Sequence, residues 1–399
     1  MLHDSFFEDM RMMPINVVDL FSGAGGLTCG FSYKIEKNSF KKTHDFNFIF
    51  ANEYNEQAAK AFATNFNDIH LIKGDIAKIT QNTLTLENIS TNIPIDLIIG
   101  GPPCQSYSTV GKRQYDQRAK MYQEYTKMLR FLQPAMFIFE NVTGLLSMKN
   151  DKGNPVIDDI TTLFDHITES LGYKLYRKVL NAKDFGVPQS RERVFIVGLR
   201  KDINYEWKFP SPTHGQGLKD YVTVAEAISD LPLVRCGQKK EKYTKETKTD
   251  YQLLMRGNSM EIYDHECGIY GDRMNMIIKA VKEGKGRPYI NELVANGILP
   301  EECHLTSGYD NTYGRLWWHK PSTTITNSLG TPSALRCIHP LQNRALTTRE
   351  GARLQSMPDW MRFYGNRHER NSQVGNAVPP LLAMAIASEV KKIPFNSFR

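Results

Sequence analysis

Between residues 15 and 200, short apolar runs alternate with amphipathic stretches, and this rhythm restricts the chain more than any other feature. The runs Asn16–Phe21, Phe46–Asn52, Ile69–Ile72, Ile95–Ile99, Ala135–Phe139, Leu175–Leu180 and Val194–Leu199 have the length and composition of buried strands. Helical patterns occupy most of the gaps, as in Glu56–Asn65, Gln117–Leu132 and Val156–Leu171. Strand and helix in turn predict an α/β fold built on a doubly wound, mostly parallel, Rossmann-like sheet. Ligands of such sheets bind beyond the carboxyl ends of the strands, so the chemistry is expected there.

After Arg200 the alternation stops. From about residue 204 to 345, Pro, Gly, Lys and Tyr follow one another irregularly and include the charged stretch "QKKEKYTKETK", which predicts a second, smaller, irregular and β-rich domain. At the far end, "GNAVPPLLAMAIASEVKK" predicts a helix opened by Pro379 and Pro380, with an apolar face through Leu381, Met384, Ala385 and Ala387. A length of 399 residues exceeds one ordinary core, in keeping with two units. With 41% hydrophobic and 23% charged residues the chain reads as globular and soluble. It shows no signal peptide and no apolar run of membrane-spanning length. Six cysteines scattered without a C-x-x-C pair predict no disulfide framework and a reducing, cytoplasmic setting. A net charge of +7 permits a polyanionic partner without requiring one.

The first strand runs into "VVDLFSGAGGLTCGF", where Gly23, Gly25 and Gly26 allow a sharp turn and close approach to a ligand. A dinucleotide fingerprint would want a third glycine at Thr28, which weakens a pyrophosphate reading. The next strand leads to Glu53, suited to a ribose diol, and the third is followed by Asp75, suited to an adenine amino group. Glycine turn, acid and acid after successive strands point to an adenosine-bearing ligand without a diphosphate, which S-adenosylmethionine fits.

In "GGPPCQSYS", Cys104 is a thiol on a stiff turn at the end of a buried strand. A cysteine is intrinsically a strong nucleophile even when little of it is thiolate at neutral pH. Pro102 and Pro103 rigidify the turn and favour display of the thiol over packing. Glu140 closes the strand "MFIFENV" at the same sheet edge, where an apolar setting raises a carboxyl pKa and suits it to proton donation. Arg191 and Arg193 in "PQSRERVFIVG" are spaced to share one face of a strand, where their guanidiniums could hold a carboxylate and a carbonyl. Methyl transfer to a pyrimidine carbon would use such a set: thiolate addition at C6 with protonation at N3 makes C5 nucleophilic, and later loss of the C5 proton releases the thiol.

At this point the chain resembles the cytosine-C5 DNA methyltransferases, most of all those of bacterial restriction-modification systems. Six segments occur in that family's order: "DLFSGAGG", "GGPPCQSYS", "ENV", "QSRERVFIVG", "RALTTREGARLQSMPD" and "GNAVPP". The resemblance implies Cys104 as nucleophile, Glu140 as N3 proton donor, Arg193 as the contact to the base O2 and Arg191 as the residue holding the glutamate. It implies cofactor contacts at Phe21, Gly23, Gly25, Leu27, Glu53, Tyr54, Asp75, Ile76, Pro103, Asn376 and Val378, with Tyr54 where the family often has a tryptophan. It further implies a catalytic domain of residues 1–203 and 371–399, a target-recognition domain of 204–345 and a hinge of 346–370. The resemblance likewise implies double-stranded DNA as the partner, from which the base must be flipped, a monomeric enzyme, and a cognate restriction endonuclease as a candidate functional partner.

The polar stretch after Cys104 suits a lid over the flipped base, with Ser106, Lys112 and Arg113 near DNA, while Arg256 and Arg315 are candidate contacts in the recognition domain. A zinc site from His265, Cys267, Cys303 and His304 has irregular spacing, and no metal is expected. A nicotinamide-dependent dehydrogenase would explain the glycine turn and Glu53 but leaves the Pro-Pro-Cys turn and the arginine pair idle. A zinc deaminase lacks its second cysteine, since "PCQSY" is not P-C-x-x-C. An amino-group methyltransferase would want an aromatic residue after Pro-Pro. RNA as the substrate of the same chemistry stays open.

Overall fold

Strand β1 (Ile15–Leu20) is buried at all six positions, polar Asn16 and Asp19 included, so it must be covered on both faces. The computed structural model, which describes residues 13–90, 92–103 and 121–398, places it inside a seven-stranded sheet. The other strands are β4 (Phe46–Glu53), β5 (Leu71–Lys73), β6 (Leu97–Gly100), β7 (Met136–Val142), β8 (Tyr173–Asn181) and β9 (Glu192–Arg200), in the order β5-β4-β1-β6-β7-β9-β8. Pairings among β5, β4, β1, β6 and β7 are all parallel, whereas β9 runs antiparallel to both β7 and β8. The doubly wound, mostly parallel sheet expected from the alternation is therefore present.

Strand alternation divides the core into two layers. Val17 and Leu97 join one cluster with Phe31, Phe62 and Leu382, while neighbouring Val18 and Ile98 join another with Tyr125, Phe137 and Phe164. The first layer holds helices α1 (Gly26–Ser32), α2 (Glu56–Asn65) and α12 (Pro380–Val390); the second holds α3 (Gln81–Leu86), α4 (Met121–Leu132) and α5 (Val156–Asp165). Helix α5 ends at Asp165, well short of Leu171, and α12 starts at Pro380 as its two prolines require. Between α1 and β4 lies an antiparallel hairpin, β2 (Tyr33–Glu36) with β3 (Ser39–Lys42), that the alternation pattern does not reveal.

Past β9 the expectation of a β-rich region needs correction in detail. Among the described residues of 204–345 there is no strand ladder, only isolated bridges such as Lys239 with Glu266 and Thr312 with Leu335. Four helices stand there instead: α6 (Val224–Ile228), α7 (Asp250–Arg256), α8 (Asp272–Ala280) and α9 (Arg287–Ala295). Trp207, Ile228, Met255 and Ile262 pack into the same cluster as the sheet, whereas Ile277, Ile290, Cys303 and Ile338 form a small core of their own. Frequent glycines and prolines shorten the extended segments here, and the longer apolar runs, such as Met274–Val281, fold mainly as helix instead.

Buried arginines fasten this region to α10 (Thr348–Leu354) and its flanks. Arg344 donates to both oxygens of Glu350 at 2.7 and 2.6 Å. Arg353 grips Asp359 through two bonds of 2.7 Å and reaches both oxygens of Asp230 at 3.1 Å. Arg349 donates to the carbonyls of Tyr263 and Met361 at 2.9 and 2.7 Å. Removal of water makes these charges costly unless every donor is answered, and the paired geometry answers them. The remaining helix, α11 (Arg367–Asn376), opens with a capping box of Asn366 and Glu369 and leads into the closing turn.

Candidate active site

Four parallel strands, β1, β4, β6 and β7, deliver their last residues to one sheet edge, and antiparallel β9 brings its first residues to that same edge. This is how Glu140 near the end of β7 meets the arginines at the start of β9. Val142 lies opposite Arg193, so Glu140 is its diagonal neighbour. Glu140 is only 7% exposed, and its Oε1 lies 3.0 Å from Nε of Arg193. Burial pushes the Glu140 carboxyl above the usual range, while the Arg193 and Arg191 guanidiniums draw it partly back.

The turn after β6 rests on these residues. A Cβ on Gly101 would stand 2.6 Å from Glu140 Oε2, so any larger residue there must displace the carboxylate or the turn. Asn141, which the sequence reading passes over, donates from Nδ2 to the Pro102 carbonyl at 3.3 Å and is itself buried. The acid and the segment leading into Cys104 are thus one packed unit. Cys104, together with Ser106, Lys112 and Arg113, lies outside the described residues.

Arg191 is 1% exposed and reaches the C-terminal motif: its guanidinium donates to the carbonyls of Ile325 at 2.9 Å, Gly375 at 2.8 Å and Ala377 at 2.9 Å. The two guanidiniums thus engage different groups, Arg193 a carboxylate and Arg191 backbone carbonyls. The direct ion pair to Glu140 belongs to Arg193, however, and Arg191 acts on the acid through its charge while tying residue 191 to the segment after α11.

A second cluster surrounds the first turn. Phe21 takes φ +58° and Gly23 φ +57°, a left-handed pair that turns the chain back over the strand end. The Gly23 N–H donates to Glu53 Oε2 at 2.8 Å and the Asn55 N–H to Oε1 at 2.6 Å. Both carboxylate oxygens are thus held by backbone N–H groups, which orients their remaining acceptor capacity outward toward a ligand hydroxyl. Tyr54 beside it is 76% exposed, an unburied ring at the strand end. Asn52 donates to the carbonyls of Ile72 and Gly74 at 2.9 and 3.0 Å, which fixes the neighbouring strand end and with it exposed Asp75, whose Oδ1 accepts from Ala77 N–H at 3.0 Å. Ile76 turns inward to the core, and Leu27 is buried in α1.

The closing motif packs on this turn. A Cβ on Gly26 would come within 2.4 Å of the Val378 carbonyl, and one on Gly30 within 2.4 Å of Ala383. Gly25 likewise faces the Phe66 ring, 2.1 Å from where a Cβ would stand. Exposed Asn376 ends α11 at this junction, and Pro103 is exposed at the turn before Cys104. Thr28, standing where a dinucleotide site would have glycine, donates its hydroxyl to Asp19, a fully buried acid whose pKa is raised to about 7 chiefly by desolvation.

The comparisons with known proteins agree with this arrangement. Residues 15–392 match the family model of the C-5 cytosine-specific DNA methylases. The chain belongs to that family. Among curated relatives of this methylase, the Type II methyltransferase M.DdeI of Desulfomicrobium norvegicum is 33% identical, the match covering 94% of this chain and 88% of that one. M1.HphI of Haemophilus parahaemolyticus is 35% identical over 96% of this chain and 88% of its own. Among solved structures, a DNA modification methyltransferase encoded within an E. coli prophage superposes with a TM-score of 0.69 at 23% identity, covering 95% of this chain and 99% of that one, a likeness of fold. The methylase is accordingly a DNA cytosine-5 methyltransferase.

Of the two arginines expected at the DNA, Arg315 is committed inside the protein, while Arg256 is partly engaged at the surface. Arg315 is 6% exposed and donates to the carbonyls of Val281 at 2.7 Å, Ile278 at 2.5 Å, His339 at 2.8 Å and Gln342 at 3.0 Å, and to Asn343 Oδ1 at 2.8 Å. The guanidinium is used up inside the small core, so the expectation of a DNA contact is replaced by a structural one. Half-buried Arg256 stacks 3.8 Å above the Tyr243 ring and donates to the Lys245 carbonyl at 2.9 Å, which occupies one face and one arm. Sequence could not separate these arginines from surface ones, because only the surrounding carbonyls distinguish them.

Among the described residues no helix is long and apolar enough to cross a membrane.

Proposed function

We propose that the chain methylates C5 of a cytosine flipped out of double-stranded DNA, with Cys104 as the nucleophile and Glu140 as the N3 proton donor. The observation that carries this reading is the buried Glu140 carboxyl, held at 3.0 Å by Arg193 and roofed by Gly101, three residues before Cys104. The Cys104 sulfur adds to C6 as the Glu140 proton passes to N3, and the ring electrons collect at C5. After C5 is methylated, loss of its proton restores the double bond and expels the thiolate, and N3 returns its proton. In this reading Arg193 keeps the acid oriented through Nε and holds the base O2 with its remaining guanidinium donors, one nitrogen being already bonded to the Glu192 carbonyl.

The cradle at the first turn fits S-adenosylmethionine. Glu53 offers unused lone pairs to a diol, Tyr54 an exposed ring to an adenine face, Asp75 a carboxylate to an amino group, and Gly23, Gly25, Leu27, Phe21, Ile76, Pro103, Asn376 and Val378 the surrounding backbone and walls. When bound, that group supplies an electrophilic methyl. Thr28, standing where a dinucleotide site would have its third glycine and bonded to buried Asp19, supports this reading over a nicotinamide dinucleotide.

We further assign residues 1–203 and 371–399 to catalysis, 204–345 to target recognition and 346–370 to the connecting hinge. The enzyme acts as a monomer on duplex DNA, protecting it from a cognate restriction endonuclease. The Type II relatives support this placing in a restriction-modification system. The test is a duplex carrying 5-fluorocytosine at the methylated site. Trapping of a covalent complex that maps to Cys104 and is lost in Cys104→Ser is expected; an active preparation that gives no adduct overturns the mechanism.

A further inference from the structure

Cys236 and Cys267 meet in the region between β9 and α10, with their sulfurs 3.9 Å apart. The contact is built by the backbone. Lys239 bridges Glu266 in antiparallel register, Cys267 N–H donates to the Gln238 carbonyl at 3.0 Å, and Gly237 N–H donates to the Cys267 carbonyl at 3.2 Å. That register places Gln238 opposite Cys267 and Cys236 two residues along, on the same side of the ribbon. Gly237, at φ +75°, bends the chain so that the diagonal pair closes to contact.

The two thiols differ. Cys236 is exposed; Cys267 is buried beside Tyr270, whose hydroxyl lies 3.7 Å from its sulfur and accepts from Ala345 N–H at 3.1 Å. Burial raises the Cys267 thiol to about 11, so it stays protonated at neutral pH and is suited to the second, resolving attack, which proximity to the Cys236 sulfur assists. His265, a neighbour in sequence, is engaged with the Thr347 hydroxyl at 2.9 Å and the Pro232 carbonyl at 2.8 Å, which leaves no imidazole for the thiols.

We propose that Cys236 and Cys267 form a thiol–disulfide exchange site that responds to small disulfides and to trivalent arsenicals. Cys236 thiolate attacks one sulfur of a disulfide RSSR, forming a mixed disulfide and releasing RS⁻. Cys267 loses its proton to solvent and attacks the Cys236 sulfur, expelling the second RS⁻. The two protein thiols are oxidised by two electrons, and RSSR is reduced to two thiols. A disulfide needs sulfurs about 2.05 Å apart, so bond formation requires the contact to shorten by about 2 Å, with the exposed Cys236 side chain moving toward Cys267. The bond closes a loop containing α7 and the lysines of Gln238–Lys248, fastening that basic segment at its base. A monosubstituted arsenoxide would bridge the same pair, losing its oxygen as water.

The test uses the full-length chain. After treatment with oxidised glutathione, a non-reducing digest should yield peptides joined through Cys236 and Cys267, separated again by dithiothreitol. Phenylarsine oxide should bind with one equivalent more per chain in the wild type than in Cys236→Ser; any thiol elsewhere adds equally to both. Because Cys236 is exposed, this variant is expected to fold, and its melting curve checks that. Persistent glutathione on Cys236 with no link to Cys267, or equal arsenical stoichiometry in the folded variant and the wild type, overturns the proposal.

Discussion

Glu140 and Arg193 stand diagonally across the antiparallel β7–β9 pair, 3.0 Å apart, with both side chains nearly sealed from water. Neither strand alone carries the arrangement: the acid comes from the end of a strand and the base from the beginning of one. Removing one partner leaves a buried charge unanswered, at a cost of about 3–5 kcal/mol. Arg193→Ala should therefore lower unfolding stability by that order in urea titration, and adding Glu140→Gln should recover much of it. Independent, additive losses would mean the pair is not coupled.

Glu140→Gln by itself keeps the shape and removes the proton. A lost general acid costs about 10²–10⁴ in rate, so tritiated methyl transfer at saturating DNA should fall within that range while DNA binding persists. A rate near wild type would remove Glu140 from the proton-donor role.

Because burial raises the Glu140 carboxyl, its protonated form survives to higher pH than that of an ordinary carboxylic acid. Turnover that depends on this proton should decline as pH rises through the raised value, and the decline should vanish in Glu140→Gln, whose residual rate has no such acid to lose. The profile of single-turnover rate against pH measures this directly.

Gly101→Ala inserts a methyl 2.6 Å from Glu140 Oε2. The carboxylate or the turn must yield, and a displacement of this kind beside reacting atoms lowers rate by about 10²-fold. The loss should appear in turnover with a comparatively small shift in melting temperature; unchanged turnover would show that the acid does not depend on the roof above it.

Asp19 gives the opposite pH signature from the arginine-paired carboxylates Glu350 and Asp359, whose pKa values are lowered. Its folded-state pKa is about 7 against an ordinary 3.8, so between these values the unfolded chain holds fewer protons than the folded one and stability falls as pH rises. The full window is worth up to about 4 kcal/mol. Asp19→Asn should flatten the pH dependence of unfolding between about pH 4 and 7. An unchanged slope would mean that Asp19 is ionised in the folded protein throughout.

Arg315→Ala should destabilise the small core without altering how DNA affinity depends on salt, because its guanidinium serves carbonyls inside the protein. Leaving buried acceptors unsatisfied costs about 1–3 kcal/mol each before relaxation. A reduced salt slope in a folded variant would return Arg315 to the DNA.

The sequence by itself determined what local pattern can encode. Alternating apolar runs specified the sheet strands from β1 to β9, tandem prolines started α12, and the glycines of "GAGG" marked a turn that only small residues can make. The two acids and two arginines were visible as residue types at strand ends. Hairpin β2–β3 was not, because Tyr33–Glu36 and Ser39–Lys42 are mostly exposed and leave no apolar period. Tertiary structure alone decided that β9 runs backward, which carries Arg193 to Glu140, and that Arg191 and Arg315 spend their donors on carbonyls more than a hundred and more than twenty residues away. The reason is physical: periodicity reports which side of a segment is dry, whereas strand direction and the partner of a buried charge depend on groups far along the chain, and only folding brings them within hydrogen-bond reach.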